Sequence, residues 1–433
     1  MSKTYSYAQA VAFVESLGES KIHYSLAQVR EALERLNRPQ DAFSVIHVVG
    51  TNGKGSTSAF AESILRQAGY RTGWFSSPHL FCVRERIRLD GRAISKADFA
   101  REVNALRRKC AAWKIRLSHF EFLTVLALGF FREKGVEVGV IEAGLGGRLD
   151  ATNVFRSSVV IVTSIGLDHE KLLGSSVKSI AREKAAVIKP RSIVVSARQP
   201  LAARIVIRSK AKKENARLFE CGSAAFRVSN IRERFRQTFL DFEFQNRSIR
   251  RLSILLLGAH QAENAALALA AVVSLDAKPH QVGAIRRGLR EAYWPFRIEV
   301  LSRRPLLIAD VAHNPHGVER LKRTLEALFP RVPFIGCFAC ANDKDFARML
   351  KPLFSRLTAI ILFESPCRGR DPVEIDSWIA NQNVRIPSIV APSPKTAIEW
   401  AREIRFPGEG IVVYGSHYFF EKTGLKPSNR TFK

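Results

Sequence analysis

The chain has 433 residues, of which 46% are hydrophobic, with six cysteines and a formal net charge of +28. The length predicts about two or three globular domains, and cysteines this sparse exclude a disulfide scaffold. The N-terminus lacks the apolar core of a signal peptide and no apolar run is long enough to span a bilayer, so we expect a cytoplasmic protein without a membrane segment.

Strand-like and helix-like segments alternate through the first 290 residues. The predicted strands are Val45–Val49, Thr72–Phe75, Val138–Glu142, Val159–Ser164 and Ile193–Ser196. Helical patterns separate most of them, for example Phe120–Phe131 and Ser179–Val187. Such alternation predicts a parallel sheet with helices on both faces.

The pattern changes between Leu218 and Leu257, where short runs alternate apolar and polar residues and predict a small β insert. A break follows near residue 295, and a second alternation begins. Its predicted strands are Leu306–Ala309, Phe334–Phe338, Ile360–Phe363, Ile389–Ala391 and Ile411–Tyr414. The predicted fold is therefore α/β: an N-terminal P-loop-type doubly wound domain, residues 1–294, with a β insert, and a C-terminal Rossmann-like α/β domain, residues 295–433.

A glycine-rich run, Gly50-Thr51-Asn52-Gly53-Lys54-Gly55-Ser56, follows the first predicted strand and leads into a helical pattern that starts at Thr57. Glycines let backbone N–H groups approach an anion, and a helix N-terminus adds partial positive charge. Lys54 can reach terminal phosphates. The strict P-loop spacing is not met, because Gly55 separates Lys54 from Ser56. The residues alone predict phosphate binding and leave open whether the loop is a broken P-loop or a different one.

Polar clusters stand where four of the predicted strands end. They are Ser76–His79, Glu142–Asp150, Ser164–His169 and Asp310–Gly317. A single carboxylate in such a place often only caps the next helix. Ligands nevertheless bind at the carboxyl ends of strands in such sheets, and Glu142 with a hydroxyl would suit a magnesium ion that also binds nucleotide phosphates.

The net charge of +28 raises the possibility of nucleic-acid binding. The basic residues are mixed with apolar residues along helical segments such as Arg204–Lys213, and no zinc-finger or RNA-recognition motif is present in the sequence. We therefore interpret the charge as a solvated basic surface and expect no nucleic-acid partner.

In their order, these motifs resemble those of the folylpolyglutamate synthases and dihydrofolate synthases, which belong to the Mur ligase superfamily. The resemblance runs from about residue 20 to the C-terminus, and Gly55 favours the folate branch. The matching segments are Gly50–Ser56, Ser76–His79, Glu142–Asn153, Leu167–His169, Trp294–Arg297 and Asp310–Pro315.

The resemblance implies that the chain binds ATP and Mg²⁺, with two ions expected, and it implies roles for individual residues. Residues implied at the ATP are Gly50, Asn52, Gly53, Lys54, Gly55, Ser56, Thr57, Asn264, Arg297 and Asp310. Implied metal ligands are Ser77, Glu142 and His169, and implied catalytic residues are Lys54, a carbamylated Lys184 and His313. Implied substrate contacts are Phe120, Glu121, Leu149, Asp150 and Ala151.

The implied reaction is ATP-dependent amide formation by a monomer. A carboxylate of folate or dihydropteroate becomes an acyl phosphate, and the amine of L-glutamate then displaces phosphate. The sequence leaves open whether the chain makes dihydrofolate, polyglutamylates folates or does both. The two alternatives are an amide ligase acting on a cell-wall or peptide precursor and a basic P-loop ATPase that binds nucleic acid.

The chain departs from the family pattern at two places. Phe296 stands where the family usually has glycine, which predicts that the left-handed conformation is lost and that the hinge geometry differs. Ser25–Gln28 replaces a Gly-Leu-Glu-Arg stretch, so the pterin contacts of this segment are open.

Overall fold

The computed structural model describes residues 4–18, 25–275 and 281–428. Residues 1–3 of the predicted N-terminal domain and residues 429–433 of the predicted C-terminal domain lie outside these ranges. Backbone contacts divide the chain into two compact units. The first unit takes Met1–Ser229, Asp241–Leu252 and Glu263–Ala292, and the second takes Asn230–Leu240, Ser253–Ala262 and Tyr293–Lys433. Across the described ranges, we find no helix with the length and apolar character that crossing a membrane requires.

The first unit is built on an eight-stranded sheet in the order β4-β3-β2-β5-β1-β6-β7-β8. Neighbours from β2 to β8 in this order run parallel, and the short strands β3 and β4 add an antiparallel edge. The strands are β1 Ser44–Val49, β2 Thr72–Phe75, β3 Ile87–Leu89, β4 Arg92–Ala93, β5 Val138–Glu142, β6 Val159–Val162, β7 Ile193–Ser196 and β8 Arg217–Glu220.

Strand β1 shows why this sheet is covered on both faces. Side chains alternate between the faces of a strand, yet all residues of Val45–Val49 are buried. Val48 pairs with Glu142 on one side and with Ile161 on the other, so the carboxyl ends of β1, β5 and β6 lie side by side. The loops that follow these strands therefore emerge at one edge of the sheet.

Ten helices belong to the described chain up to residue 291. They are α1 Tyr7–Ser16, α2 Ala27–Arg35, α3 Lys54–Gln67, α4 Lys96–Trp113, α5 His119–Glu133, α6 Glu170–Leu173, α7 Val177–Ala185, α8 Leu201–Lys213, α9 Ala259–Ser274 and α10 Val282–Glu291. Short 3-10 turns occupy Pro39–Asp41 and Val83–Arg86. Local sequence explains several starts: Ser118 and Glu121, for example, form a reciprocal capping box at α5.

The β insert is a three-stranded sheet of β9 Phe226–Arg234, β10 Gln237–Phe244 and β11 Arg247–Ile254. Only two residues separate each strand from the next, a length that joins antiparallel neighbours. The alternating burial of β10 matches the alternation of its sequence.

The C-terminal sheet has six strands in the order β12-β13-β17-β14-β15-β16, all parallel to their neighbours except β12. They are β12 Glu299–Arg303, β13 Leu306–Ala309, β14 Phe334–Phe338, β15 Leu357–Leu362, β16 Ser388–Val390 and β17 Gly410–Tyr414. Its helices are α11 Pro315–Leu328, α12 Phe346–Leu350, α13 Pro372–Ala380 and α14 Pro394–Ile404, with 3-10 turns at Lys351–Arg356 and Phe420–Thr423. The predicted fold of two α/β sheets with a β insert is confirmed.

The expectation that Phe296 forfeits the left-handed conformation is wrong. Its φ is +52°, within the region that glycine adopts most readily. The ring is fully buried and stacks on Phe420 with 4.3 Å between ring centroids. Burial of this ring therefore offsets the strain of the left-handed backbone.

We expect Phe296→Gly to be less destabilising than Phe296→Ala, the reverse of the usual order. Both variants lose a buried ring, which costs about 3–5 kcal/mol, but only glycine relieves a left-handed strain of about 1 kcal/mol. Chemical denaturation measures the free energy of unfolding of both variants. At Phe334, which lies in strand β14 and is equally buried, glycine should instead be worse than alanine. If the glycine variant were the less stable of the two at Phe296 as well as at Phe334, the proposed backbone strain at Phe296 would be contradicted.

Candidate active site

The glycine-rich loop between β1 and α3 has a backbone that two of its glycines make possible. Gly50 has a φ of +148°, and a Cβ atom there would lie 1.9 Å from Thr163 Oγ1. Gly53 has a φ of +92° and immediately precedes helix α3. Helix α3 begins at Lys54 rather than at Thr57, so the glycine-rich loop leads directly into a helix N-terminus.

The segment after β6 fixes the loop. The N–H groups of Thr51 and Asn52 donate to the Ser164 carbonyl at 2.9 and 3.2 Å. The Thr51 hydroxyl donates to the Gly166 carbonyl and accepts from the Gly166 N–H, both at 3.1 Å. The loop is thus held by backbone groups that follow a neighbouring strand.

Asn264 of helix α9 lies against the same loop. A Cβ atom on Gly53 would approach Asn264 Oδ1 to 2.5 Å, so only glycine allows this contact. Lys54 is partly exposed and its Nζ donates weakly to the Thr51 carbonyl at 3.4 Å. Thr57 is buried, and its hydroxyl has no hydrogen-bond partner within the described ranges. The backbone of the loop and the Lys54 cation together fit a bound phosphate group.

Lys184 lies on helix α7, and its side chain contacts the glycine-rich loop. Its side chain is buried, and Nζ donates to the Gly50 carbonyl at 2.8 Å. Burial, with a further contribution from the Lys54 charge, lowers the pKa of Lys184 to about 7, against the opposing influence of Asp168 and Asp150. An amine with such a pKa is largely neutral and nucleophilic slightly above pH 7.

Two of the three predicted metal ligands are in contact. Glu142 ends strand β5 and is buried, and its Oε2 accepts from the Ser77 N–H at 3.4 Å. His169 follows the segment that holds the phosphate loop; its φ is +50°, and its N–H donates to Asp168 Oδ1 at 2.9 Å. No group of three histidine, cysteine, aspartate or glutamate side chains is placed to hold a metal ion in the chain as described. The predicted set differs from such a group because its third ligand is the hydroxyl of Ser77.

The loop after β5 connects the predicted substrate residues. A Cβ atom on Gly144 would lie 2.7 Å from the Phe120 ring, so this loop packs directly on Phe120. Asp150 is buried; its carboxylate accepts from the Leu145 N–H at 2.8 Å, and burial raises its pKa. Ala151 is buried and Leu149 is partly exposed.

Glu121 is used differently from the other predicted substrate residues. Its Oε2 accepts from the N–H and the hydroxyl of Ser118 at 2.7 and 2.8 Å, which closes the cap of helix α5. The carboxylate is therefore engaged in fixing the first turn of the helix that carries Phe120.

The second unit places three predicted residues near one another. Asp310 is buried after β13, and its two oxygens accept from the Ile298 and Ala312 N–H groups at 2.8 and 2.7 Å. Burial raises the pKa of Asp310 to about 6, while the charge of Arg297 opposes that rise. His313 Nδ1 lies 3.1 Å from the Val311 carbonyl.

Sequence reasoning missed a residue beside His313. The ring of His417 meets that of His313 edge to face, with 5.7 Å between their centroids. His417 stands in Gly415–Tyr418, directly after β17, so the rule that singled out the other strand ends would have found it. Sequence reasoning also assigned no role to Asp168, whose charge raises the pKa of Lys184 against the effect of burial.

Comparison with protein families gives two matches. Residues 48–272 match the Mur ligase middle domain, and residues 296–417 match the glutamate ligase domain of the Mur ligases. The two matches together span most of the sequence.

The chain is also similar to individual proteins over nearly its whole length. It is 31% identical over 422 residues to the dihydrofolate synthase/folylpolyglutamate synthase of Bacillus subtilis, covering 96% of this chain and 97% of that protein. Among solved structures, folylpolyglutamate synthase of Mycobacterium tuberculosis complexed with ADP superposes with a TM-score of 0.90 at 28% identity, covering 98% and 100% of the two chains. Escherichia coli FolC in complex with DHPP and ADP gives 0.87 at 29% identity, covering 96% of each.

Proposed function

Because the chain belongs to the Mur ligase family, among its dihydrofolate synthases/folylpolyglutamate synthases, we propose that it is an ATP-dependent ligase joining L-glutamate to a folate-type carboxylate. The observation that carries this proposal is the phosphate loop, in which left-handed Gly53 opens helix α3 at Lys54. In the same proposal, residues 1–294 form the ATP-binding domain and residues 295–433 the glutamate ligase domain.

The chemistry begins with a carboxylate that is a poor acyl donor at neutral pH. Its oxygen attacks the γ-phosphorus of ATP, ADP leaves, and an acyl phosphate forms. The free amine of L-glutamate then attacks the activated carbonyl, the carbon–oxygen bond to phosphate breaks, and the amine loses a proton as the amide forms. The carboxylate belongs to dihydropteroate in dihydrofolate synthesis and to the glutamyl chain of a folate in polyglutamylation.

Charge neutralisation is the main task of the protein during phosphoryl transfer. Lys54 and the N-terminus of α3 bind the β- and γ-phosphates, with Gly50, Asn52, Gly55, Ser56 and Thr57 shaping the loop around them. Asn264 fixes the position of Gly53, with which it is in contact. Arg297 contributes a second cation, and Asp310 holds the backbone at Ile298 beside it.

We propose that Ser77, Glu142 and His169 hold Mg²⁺. The Glu142 carboxylate and the Ser77 hydroxyl are oxygen donors of the kind that suits this ion, and the two segments are already in contact. His169 would add a ring nitrogen. When bound, magnesium supplies positive charge to the phosphate oxygens as negative charge moves onto them. The protein's own contribution is to hold a buried carboxylate beside the phosphate loop in a fixed orientation.

We propose that Lys184 carries a carbamate. Its neutral amine attacks CO₂, a carbon–nitrogen bond forms, one proton is released from the nitrogen, and the neutral amine becomes an anionic carbamate. Burial and the low pKa favour the neutral amine, and the contact with Gly50 places it at the phosphate loop. The new charge converts the repulsion between Lys184 and Lys54 into attraction and would help organise a second magnesium ion.

For the folate substrate we propose contacts with Phe120, Leu149, Asp150 and Ala151. Phe120 offers a ring for stacking, and the buried Asp150 organises the loop that packs on it. Glu121 acts as a positioning residue through its cap on helix α5. His313 is proposed at the incoming amino acid.

Replacing Gly53 by alanine should weaken ADP binding by at least about tenfold. The variant forces a left-handed alanine, costing about 1 kcal/mol, and displaces Asn264 from the loop. Calorimetric titration with ADP measures the effect. Gly69→Ala is the matched control, because Gly69 has a φ of +86° with nothing within 4 Å of its Cβ position. It should lose similar stability and keep its affinity for ADP, whereas equal affinities in both variants would contradict the proposed contact.

Substrate-dependent ADP release tests the function as a whole. Release should require both L-glutamate and either dihydropteroate or tetrahydrofolate, and comparing these two acceptors shows which activity the chain has. A muramyl precursor as the preferred acceptor would favour another Mur ligase. ATP hydrolysis stimulated by nucleic acid, with steep salt dependence of binding, would favour a nucleic-acid ATPase.

A further inference from the structure

A pocket lies at the end of the first sheet opposite the glycine-rich loop. Its volume is about 260 Å³, and its lining includes Arg30, Arg38, Gln40, Asn153 and Lys189. Gln40 shortly precedes β1, and Lys189 shortly precedes β7. Strands β1, β6 and β7 are parallel neighbours, so residues before them lie at their amino ends, whereas the phosphate loop follows β1 at its carboxyl end.

The lining of the pocket has more cations than anions, with Arg30, Arg38 and Lys189 against the single carboxylate of Glu34. In the described part of the chain, neither Arg30 nor Lys189 has a carboxylate within ion-pair distance. Arg38 is paired with Glu34 and Asp41. Burial, together with the charges of Lys210 and Arg30, lowers the pKa of Lys189, and Glu214 only partly opposes these effects. Unbalanced cations that line a pocket favour an anionic ligand.

Two of the lining residues, Gln40 and Asn153, carry buried acceptors without donors within the described ranges. Gln40 and Asn153 are 4% and 6% exposed, and neither Gln40 Oε1 nor Asn153 Oδ1 has a hydrogen-bond partner among the described residues. Asn153 Nδ2 donates to the Arg148 carbonyl at 3.0 Å, which fixes the amide orientation. Buried carbonyl oxygens of this kind require a donor, and a simple anion such as glutarate has none at neutral pH.

We propose that this pocket binds a carboxylate ligand that also presents N–H donors, either L-glutamate or a γ-linked glutamyl chain. The carboxylates pair with Arg30 and Lys189, and an ammonium or amide N–H donates to Gln40 and Asn153. The choice of a glutamyl ligand rests on the proposed function, which brings both the free amino acid and the glutamyl chain to the protein. The site is distinct from the catalytic one because it lies at the amino ends of the strands.

Calorimetric titration of the full chain tests the pocket with L-glutamate, γ-glutamylglutamate, glutarate and inorganic phosphate. We expect either L-glutamate or γ-glutamylglutamate to bind at least about tenfold tighter than glutarate or phosphate. Which of the two binds tighter shows whether the pocket takes the free amino acid or a glutamyl chain. The double variant Arg30→Gln/Lys189→Gln should lose at least about tenfold in that binding, while Lys212→Gln, an exposed lysine on α8, should not. Gln40→Met, which keeps the size of the side chain, should weaken the glutamyl ligand but leave glutarate unchanged.

Equal binding of glutamyl ligands and glutarate would overturn the proposal, as would unchanged binding in the double variant. Folate-dependent ADP release, measured on the same samples, separates this proposal from the proposed function. The double variant should keep the turnover of the parent chain, because neither residue belongs to the catalytic site. Normal ADP release without binding of a glutamyl ligand in the pocket would contradict the pocket proposal and leave the proposed function standing. Absent ADP release in the parent chain defeats the proposed function.

Discussion

Replacing Lys54 by alanine should lower folate- and glutamate-dependent ADP release by at least about 100-fold, which is the effect expected from the loss of one charge-stabilising group. Lys54 opens helix α3 at the phosphate loop, and its Nζ has only a weak contact with the Thr51 carbonyl. In the proposed site the cation is therefore available to the phosphates, where it would stabilise the charge that grows during transfer. The measurement is turnover at saturating substrates, with a thermal melt to verify folding.

The matched control is Lys109→Ala on the exposed face of helix α4, which removes the same charge from the surface. It should leave turnover within about twofold of the parent chain, because an isolated surface charge contributes little. Near-normal turnover in Lys54→Ala would defeat the assignment of the loop as the phosphate site. A similar loss in both variants would point to a general effect of net charge.

Activity should also depend on CO₂ through Lys184. Protein freed of CO₂ loses most of its turnover and regains it with bicarbonate, whereas Lys184→Ala stays at least about 100-fold below the parent chain under both conditions. The sign of the pH effect follows from the pKa of about 7: below it the amine is protonated and cannot react. Loading should therefore rise as pH increases through 7 and approach saturation above it.

Mass spectrometry under conditions that preserve labile groups measures the loading directly, as a mass increase of one CO₂ on the peptide containing Lys184. Lys178→Ala, an exposed position on the same helix, should keep both the mass increase and the bicarbonate response. Full activity in protein freed of CO₂ would contradict a carbamate, even if Lys184→Ala were inactive.

Local pattern was sufficient to predict most strands and the residues at their ends. Strands β2, β5 and β7 occur with the predicted bounds, because each is an apolar run ended by polar residues. The sequence predicts that helix α3 starts at Thr57, three residues after its observed start at Lys54. Hydrophobic periodicity does not detect a first turn that begins with Lys54 and Gly55. The two-residue strand β4 carries too few side chains to form a pattern.

Contacts between distant parts of the chain could not be predicted from local pattern. Lys184 and Gly50 are 134 positions apart, and only the packing of α7 reveals that a basic-helix lysine is buried at the phosphate loop. The stacking of Phe296 on Phe420 is of the same kind, and it explains why a residue unsuited to a left-handed backbone is stable there. The resemblance to a family supplied Asn264, whose contact with Gly53 has no local signal.

The most direct test of the proposed reaction traces an oxygen atom from the acceptor carboxylate to inorganic phosphate. The acceptor, dihydropteroate or tetrahydrofolate, is prepared with ¹⁸O in its reacting carboxylate and incubated with ATP, L-glutamate and the protein. If the carboxylate is activated as an acyl phosphate, one ¹⁸O atom is transferred to each inorganic phosphate released with the amide product. Amide formation with unlabelled phosphate, or ADP release without any amide, would contradict the proposed reaction.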